Sequence, residues 1–186
     1  MIELLVRETL FIPDDYQKTI YDINYAQLAT SGIKTILMDL DNTIIPYDES
    51  HASLEMLALF ASVKSKGLGI VIISNNHGLR VKGFANEVQC LYVDRAKKPF
   101  SCGFKKAVKL GETKNPSEIC VIGDQLMTDV WGGKRLGYRT IIVDALKRNT
   151  EKWYTRFNRR LEQKILLLIQ KKHPELFKKL HLAEKR

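Results

Sequence analysis

Four β-rich apolar runs set the strongest limit on what this chain can fold into: residues 33–40 (IKTILMDL), 68–73 (LGIVII), 118–122 (EICVI) and 138–143 (YRTIIV). None alternates apolar with polar residues along its length, so each needs cover on both faces, as strands inside a parallel sheet do. Residues 91–93 make a fifth, shorter run. Between the runs lie stretches with helical spacing at 53–66, 79–88, 100–110 and 126–136, the last weakened by Gly132 and Gly133. Strands alternating with helices predict an α/β fold, a doubly wound, five-stranded parallel sheet of Rossmann-like type.

Composition agrees with one soluble globular domain: 45% of the 186 residues are hydrophobic and 27% are charged. No apolar run approaches the roughly 18–20 residues of a membrane span. The first residues, MIELLVRETLFIPDDY, carry Glu3 and Glu8 within the apolar stretch and do not read as a signal peptide. Cys90, Cys102 and Cys120 lack the close pairing of zinc ligands. Reduced thiols in or near a core, in a cytoplasmic protein, are the expectation.

In a doubly wound sheet, ligands bind at the carboxyl ends of the strands. The first run ends in Asp39-Leu40-Asp41-Asn42-Thr43, and Asp39 and Asp41 can share a crevice. The second ends in Ser74-Asn75-Asn76, where a hydroxyl and backbone amides at a helix entrance either hold a phosphate or cap the helix. Arg95-Ala96-Lys97-Lys98-Pro99 puts Lys98 near a helix entrance, where an ammonium can neutralise charge on a phosphoryl group. The fourth run leads into Gly123-Asp124-Gln125-Leu126-Met127-Thr128-Asp129. Oxygen ligands such as Asp39 and Asp124 suit a hard cation such as Mg²⁺.

In order and placement, these four clusters resemble motifs I to IV of the haloacid dehalogenase (HAD) superfamily: D-x-D-x-T, a Ser after the second strand, Lys before Pro, and G-D-x-x-x-T-D. The resemblance implies a Rossmann-like fold, Mg²⁺ and an aspartyl-phosphate intermediate. It makes Asp39 the nucleophile and Asp41 the general acid, then base. An Asp at that second position points to phosphoryl transfer rather than dehalogenation. Thr43 orients the pair, and Ser74, Asn75 and Lys98 meet the phosphoryl group. Asp39, Asp124, Asp129 and the backbone carbonyl of Asp41 form the Mg²⁺ site.

Only 30 residues separate Thr43 from Ser74 and 23 separate Ser74 from Lys98, too few for an inserted cap domain. A capless, open site is expected, suited to a large or surface-bound substrate. FIPDDY, DLDNTI, ISNN, RAKKP, GDQLMTDVWGG and TRFNRRLEQKIL together resemble the YqeG family of subfamily IIIA phosphatases, from about Phe11 to about Leu168. That family is related to phosphatidylglycerophosphate phosphatases. The kinship implies a phosphorylated substrate such as a phospholipid headgroup. Arg80, Arg95 and Lys97 lie beside the site in sequence, where they either meet a substrate phosphate or are simply solvated.

Residues 1–146, the first 30 as an extension packed on the rest, form the expected phosphatase domain and are neutral. Residues 147–186, with 13 basic and four acidic residues, carry the whole net charge of +9. Within 152–170 an apolar stripe runs through Tyr154, Phe157, Leu161, Ile165 and Leu168, and Arg156, Arg159 and Arg160 lie off it. This is a basic amphipathic helix, with Pro174 ending it. Three readings are open. In one the stripe packs on the body and the charges are solvated. In another the helix holds the enzyme on anionic lipid at the inner face of a membrane. In the third it contacts nucleic acid, as an RNA- or ribosome-binding protein with vestigial chemistry would.

Overall fold

A computed structural model describes residues 8–185, apart from the side chain of Tyr154. Residues 1–7 of the expected extension lie outside it. The strands are β1 (Asp15–Gln17), β2 (Thr35–Met38), β3 (Gly69–Ile73), β4 (Leu91–Val93), β5 (Ile119–Gly123) and β6 (Arg139–Val143). The α-helices are α1 (Tyr25–Thr30), α2 (Leu54–Ser65), α3 (Leu79–Glu87), α4 (Ser101–Leu110), α5 (Trp131–Lys134), α6 (Trp153–Lys172) and α7 (Pro174–Lys179).

All strand pairs are parallel, in the order β1-β6-β5-β2-β3-β4. The chain runs outward from β2 through β3 to β4, then crosses back to β5 on the other side. The switch point therefore lies between β2 and β5, and a crevice opens there at the strands' carboxyl ends. The apolar runs are buried as expected: Ile36, Leu37, Ile72, Ile73, Cys120 and Ile122 are 0% exposed. Phe60 and Phe84 pack edge to face on one side of the sheet, and Phe104 and Tyr138 meet on the other.

Among the described residues the sheet has six strands, not five. The additional strand, β1, is the three-residue segment DYQ, too short and polar to be legible as a strand. Its neighbour Asp14 holds it on β6, accepting from the backbone N–H of Thr140 at 2.8 Å and from Lys134 at 2.7 Å. Residues 126–136 are also not one α-helix. A π-helical turn, Leu126–Val130, precedes the short α5.

The tail packs on the body through only part of the expected stripe: Ile165 is buried, Leu161 and Leu168 are half-buried, and the side chain of Tyr154 lies outside the described residues. The buried residues of α6 are Thr155, Arg159, Glu162, Ile165 and Ile169, whereas Phe157 is 55% exposed. Its C-terminal half joins Phe11, Ile12, Leu126, Val130 and Ile142, with Phe177 of α7 and Leu182, in one apolar cluster. Phe11 stacks on Trp131 with ring centroids 5.5 Å apart. Arg159 is thus buried rather than solvated.

The cysteines are free, and Cys102 is exposed rather than packed in the core. Burial pushes the Cys120 thiol up to about 12, so little of it is thiolate at neutral pH. Mass spectrometry after brief alkylation of the native protein should find Cys102 modified and Cys120 modified only in denaturant. Ile169 is 0% exposed, and Ile169→Ala should lower unfolding free energy by about 2–5 kcal/mol in urea titrations. A tail merely appended to the body would give almost no change.

Candidate active site

The ladder between β2 and β5 extends one residue past Met38, where the backbone N–H of Asp39 donates to Ile122 at 2.9 Å. Asp39 is thereby fixed at the switch point, 5% exposed. Lys98, on the loop between β4 and α4, reaches across to it. Its Nζ lies 2.5 Å from Asp39 Oδ1 and 2.7 Å from Asp129 Oδ1. Thr43 Oγ1 donates to Asp39 Oδ2 at 3.1 Å and lies 3.4 Å from Asp124 Oδ1.

The turn after β5 supplies the other acids. Asp124 follows the strand directly, and Asp129 returns on the π-helical turn. Its Oδ2 accepts from the backbone N–H of Gln125 at 3.2 Å and from Thr128 Oγ1 at 3.1 Å. Gly123 makes this return possible, because a Cβ there would lie 2.3 Å from Asp129 Cγ. A π turn at a strand end is a frequent device for aiming side chains into a site.

Asp41 lines the same well, but its carboxylate is bonded to other partners. Ser74 Oγ donates to its Oδ2 at 2.8 Å, and Arg80 Nη1 to its Oδ1 at 2.5 Å. Arg80 also donates to the carbonyls of Pro46 and Glu49, both at 2.7 Å, and so ties α3 to the loop after Thr43. Asn75 spends its side chain on Lys98, donating to its carbonyl at 3.0 Å and accepting from its N–H at 2.6 Å. Arg95 and Lys97 are exposed.

Burial pushes the Asp39 carboxyl well above its ordinary range; Lys98 opposes this, and Asp129, Asp124 and Asp41 add to it. Burial alone would lower the Lys98 ammonium, but Asp129 and Asp39 outweigh it and raise it. The cluster thus holds more carboxylate than one ammonium balances. Asp39, Asp124 and Asp129 each offer an oxygen within 4.8 Å of the others. An all-oxygen set with excess negative charge fits a hard divalent cation such as Mg²⁺. The Asp41 carboxylate is not in that group.

The well above these residues is small, about 50 Å³, and is lined by Asp39, Asp41, Tyr47, Asn75, Asn76, Lys98, Gln125, Thr128, Thr155 and Asn158. No cap domain stands between the motifs; the intervals hold only the loop after Thr43, α2 and β3, then α3 and β4. The well is nonetheless narrower than an open site, because Thr155 and Asn158 of α6 wall it. A shallower groove of about 380 Å³ shares Tyr47 and Asn76 with the well and is lined also by Asp48, His77, Arg80, Val81, Thr150 and Lys152.

Sequence reasoning did not single out the residues that the tail and the loop after β2 bring here. Arg159 binds both the side chain and the backbone carbonyl of Asp124, the latter at 2.7 Å. Asn42, with a left-handed φ of 62°, donates to the Lys147 carbonyl at 3.1 Å and to Glu151 at 3.3 Å. The only signal for Arg159 was an arginine on a helix, and its partner Asp124 lies 35 residues away in sequence. Asn is among the few residues that tolerate a left-handed φ, a signal that pointed to a turn but not to its contacts.

Residues 1–147 match the family described as mitochondrial PGP phosphatase. The protein named "Probable phosphatase YqeG" of Bacillus subtilis (strain 168) is 38% identical over 162 residues, 87% of this chain and 93% of that one. The chloroplastic/mitochondrial phosphatidylglycerophosphate phosphatase 1 of Arabidopsis thaliana is 28% identical over 182 residues, 89% of this chain but 50% of that protein's length. A structure described as a HAD superfamily (subfamily III A) hydrolase from Legionella pneumophila is 16% identical, with 86% and 94% of the two chains covered and a TM-score of 0.42. With a family match over most of its length and a relative 38% identical along nearly all of it, this chain belongs to the PGP phosphatase family and is a YqeG-type phosphatase.

Proposed function

We propose that this chain is a Mg²⁺-dependent phosphomonoesterase that works through an aspartyl-phosphate on Asp39, and that its substrate is a phosphate carried on a phospholipid headgroup. The observation that supports the mechanism best is the setting of Asp39, bonded by Lys98 on one side and by Thr43 on the other, at the floor of the well.

A carboxylate oxygen of Asp39 attacks phosphorus, and the bond from phosphorus to the leaving oxygen breaks. Asp41 gives that oxygen its proton. Asp41, now ionised, takes a proton from water; the water oxygen bonds to phosphorus, the bond to Asp39 breaks, and inorganic phosphate leaves. Ser74 and Arg80 fix the Asp41 carboxylate at the well, where it would reach the leaving oxygen. Lys98, kept in place by Asn75, balances charge on Asp39 and on the phosphoryl oxygens. Asp39, Asp124 and Asp129, with the backbone oxygen of Asp41, would hold Mg²⁺. Its charge would draw two anions, carboxylate and phosphate, together.

Three features support the substrate class. The groove beside the well carries His77 and Lys152, nitrogen groups suited to a second phosphate. Trp153 and Phe157, 79% and 55% exposed, stand on α6 near the residues that wall the well, among exposed Lys152, Arg156 and Arg160. Aromatic and basic groups together suit an anionic lipid surface. A relative that matches along most of this chain is named for phosphatidylglycerophosphate. Among the described residues no helix is long and apolar enough to cross a membrane, so contact would be peripheral.

With Mg²⁺, the protein should release phosphate from p-nitrophenyl phosphate, and EDTA should stop it reversibly. Asp39→Asn should abolish release; activity surviving that change contradicts the mechanism. Phosphatidylglycerophosphate in anionic vesicles should be hydrolysed more slowly by the Trp153→Ala/Phe157→Ala variant. Its rate on the soluble aryl phosphate should match wild type. Equal rates on vesicles would contradict the membrane contact.

A further inference from the structure

Asp124 is 0% exposed, and its two carboxylate oxygens face opposite ways. Oδ1 lies toward Thr43 and the Asp39 side of the cluster, at 3.4 Å from the threonine hydroxyl. Oδ2 is taken by Arg159 Nη2. Arg159 Nη1 also donates to the Asp124 backbone carbonyl at 2.7 Å, and Lys185 Nζ reaches the same oxygen at 3.0 Å. The guanidinium thus grips one residue at side chain and main chain.

Arg159 is itself held firmly. Its Nε and Nη2 donate to Glu151 Oε1 at 3.0 and 2.9 Å, and its Nη1 donates to Glu162 Oε2 at 3.1 Å. Glu162 in turn accepts from the backbone N–H of Met127 on the π-helical turn at 3.3 Å. All three nitrogens of a side chain only 6% exposed are therefore engaged. Burial works against the Arg159 charge, but Asp124, Glu162 and Glu151 outweigh it.

A buried ion network is weak evidence for stability, since apolar residues of similar volume often serve a fold as well or better. What a planar fork does supply is orientation: it fixes a carboxylate in one rotamer, which a lysine at the same place does not. We propose that Arg159 is a positioning residue for the cation site. From the tail helix it holds Asp124 with one oxygen occupied and the other turned toward Asp39. The tail thereby completes the catalytic centre.

This inference rests on the Mg²⁺ reading above, and its test separates the two. The full chain is titrated with Mg²⁺ by calorimetry, alongside the Mg²⁺ dependence of p-nitrophenyl phosphate hydrolysis. Arg159→Lys keeps the charge and loses the fork. Arg159→Met/Glu151→Gln/Glu162→Gln removes the fork together with the charges that its loss would strand. Both should bind Mg²⁺ about 10–100-fold more weakly, the usual cost of removing a residue that orients a metal ligand. KM for the aryl phosphate at saturating Mg²⁺ should hold, and kcat should recover as Mg²⁺ is raised. Lys164→Arg, exposed on the same helix, should match wild type.

A folded variant with wild-type Mg²⁺ affinity overturns the proposal. So does loss of the folded circular-dichroism spectrum in both variants, which would make Arg159 a folding residue. Absence of Mg²⁺ binding by the wild type overturns the metal reading instead.

Discussion

Asp39, Asp124 and Asp129 are carboxylates withdrawn from water and placed within 4.8 Å of one another. Removing one such charge from water costs several kcal/mol, and bringing like charges together adds to it. Much of the surrounding architecture answers that cost. Lys98 stands between two of the acids, Thr43 and the backbone N–H of Gln125 donate to their other oxygens, and Arg159 pairs with the third. The remaining excess of negative charge is of the kind that a hard divalent cation fits.

The tail belongs to this arrangement. Its charge of +9 invited a reading in terms of membrane or nucleic acid, yet one of its arginines is spent inside the protein. The N-terminal half of α6 walls the well with Thr155 and Asn158, while its C-terminal half closes the apolar cluster around Phe11 and Ile142. Trp153 at the helix start and the arginines Arg156 and Arg160 after it are exposed. One helix thus narrows the site, grips one of its acids and leaves basic and aromatic side chains exposed.

The parts legible in the sequence were those in which chemistry follows a strand directly. Asp39, Ser74 and Asp124 each come just after an apolar run, so the strand pattern placed them at one edge before any coordinates did. β1 escaped because DYQ has no apolar run; Asp14 and the neighbouring β6 create it. The inward face of α6 was misread because its first half is polar. Thr155, Arg159 and Glu162 are buried by partners from other elements, and Phe157, the apolar residue expected inward, faces solvent. Asn75 shows the same limit at the site. Its position beside Ser74 pointed to phosphate, but its amide is spent on the Lys98 backbone, a bond that no spacing reveals.

The central claim is that the crevice between β2 and β5 transfers a phosphoryl group to Asp39 itself. It is tested most directly by acid-quenching the enzyme during turnover of an aryl phosphate with Mg²⁺ and measuring the mass of the peptide that bears Asp39. The account predicts one added phosphoryl group on Asp39, labile to hydroxylamine and absent from Asp39→Asn. Steady turnover with no phosphorylated aspartate at any quench time, or with the label on another residue, would contradict it.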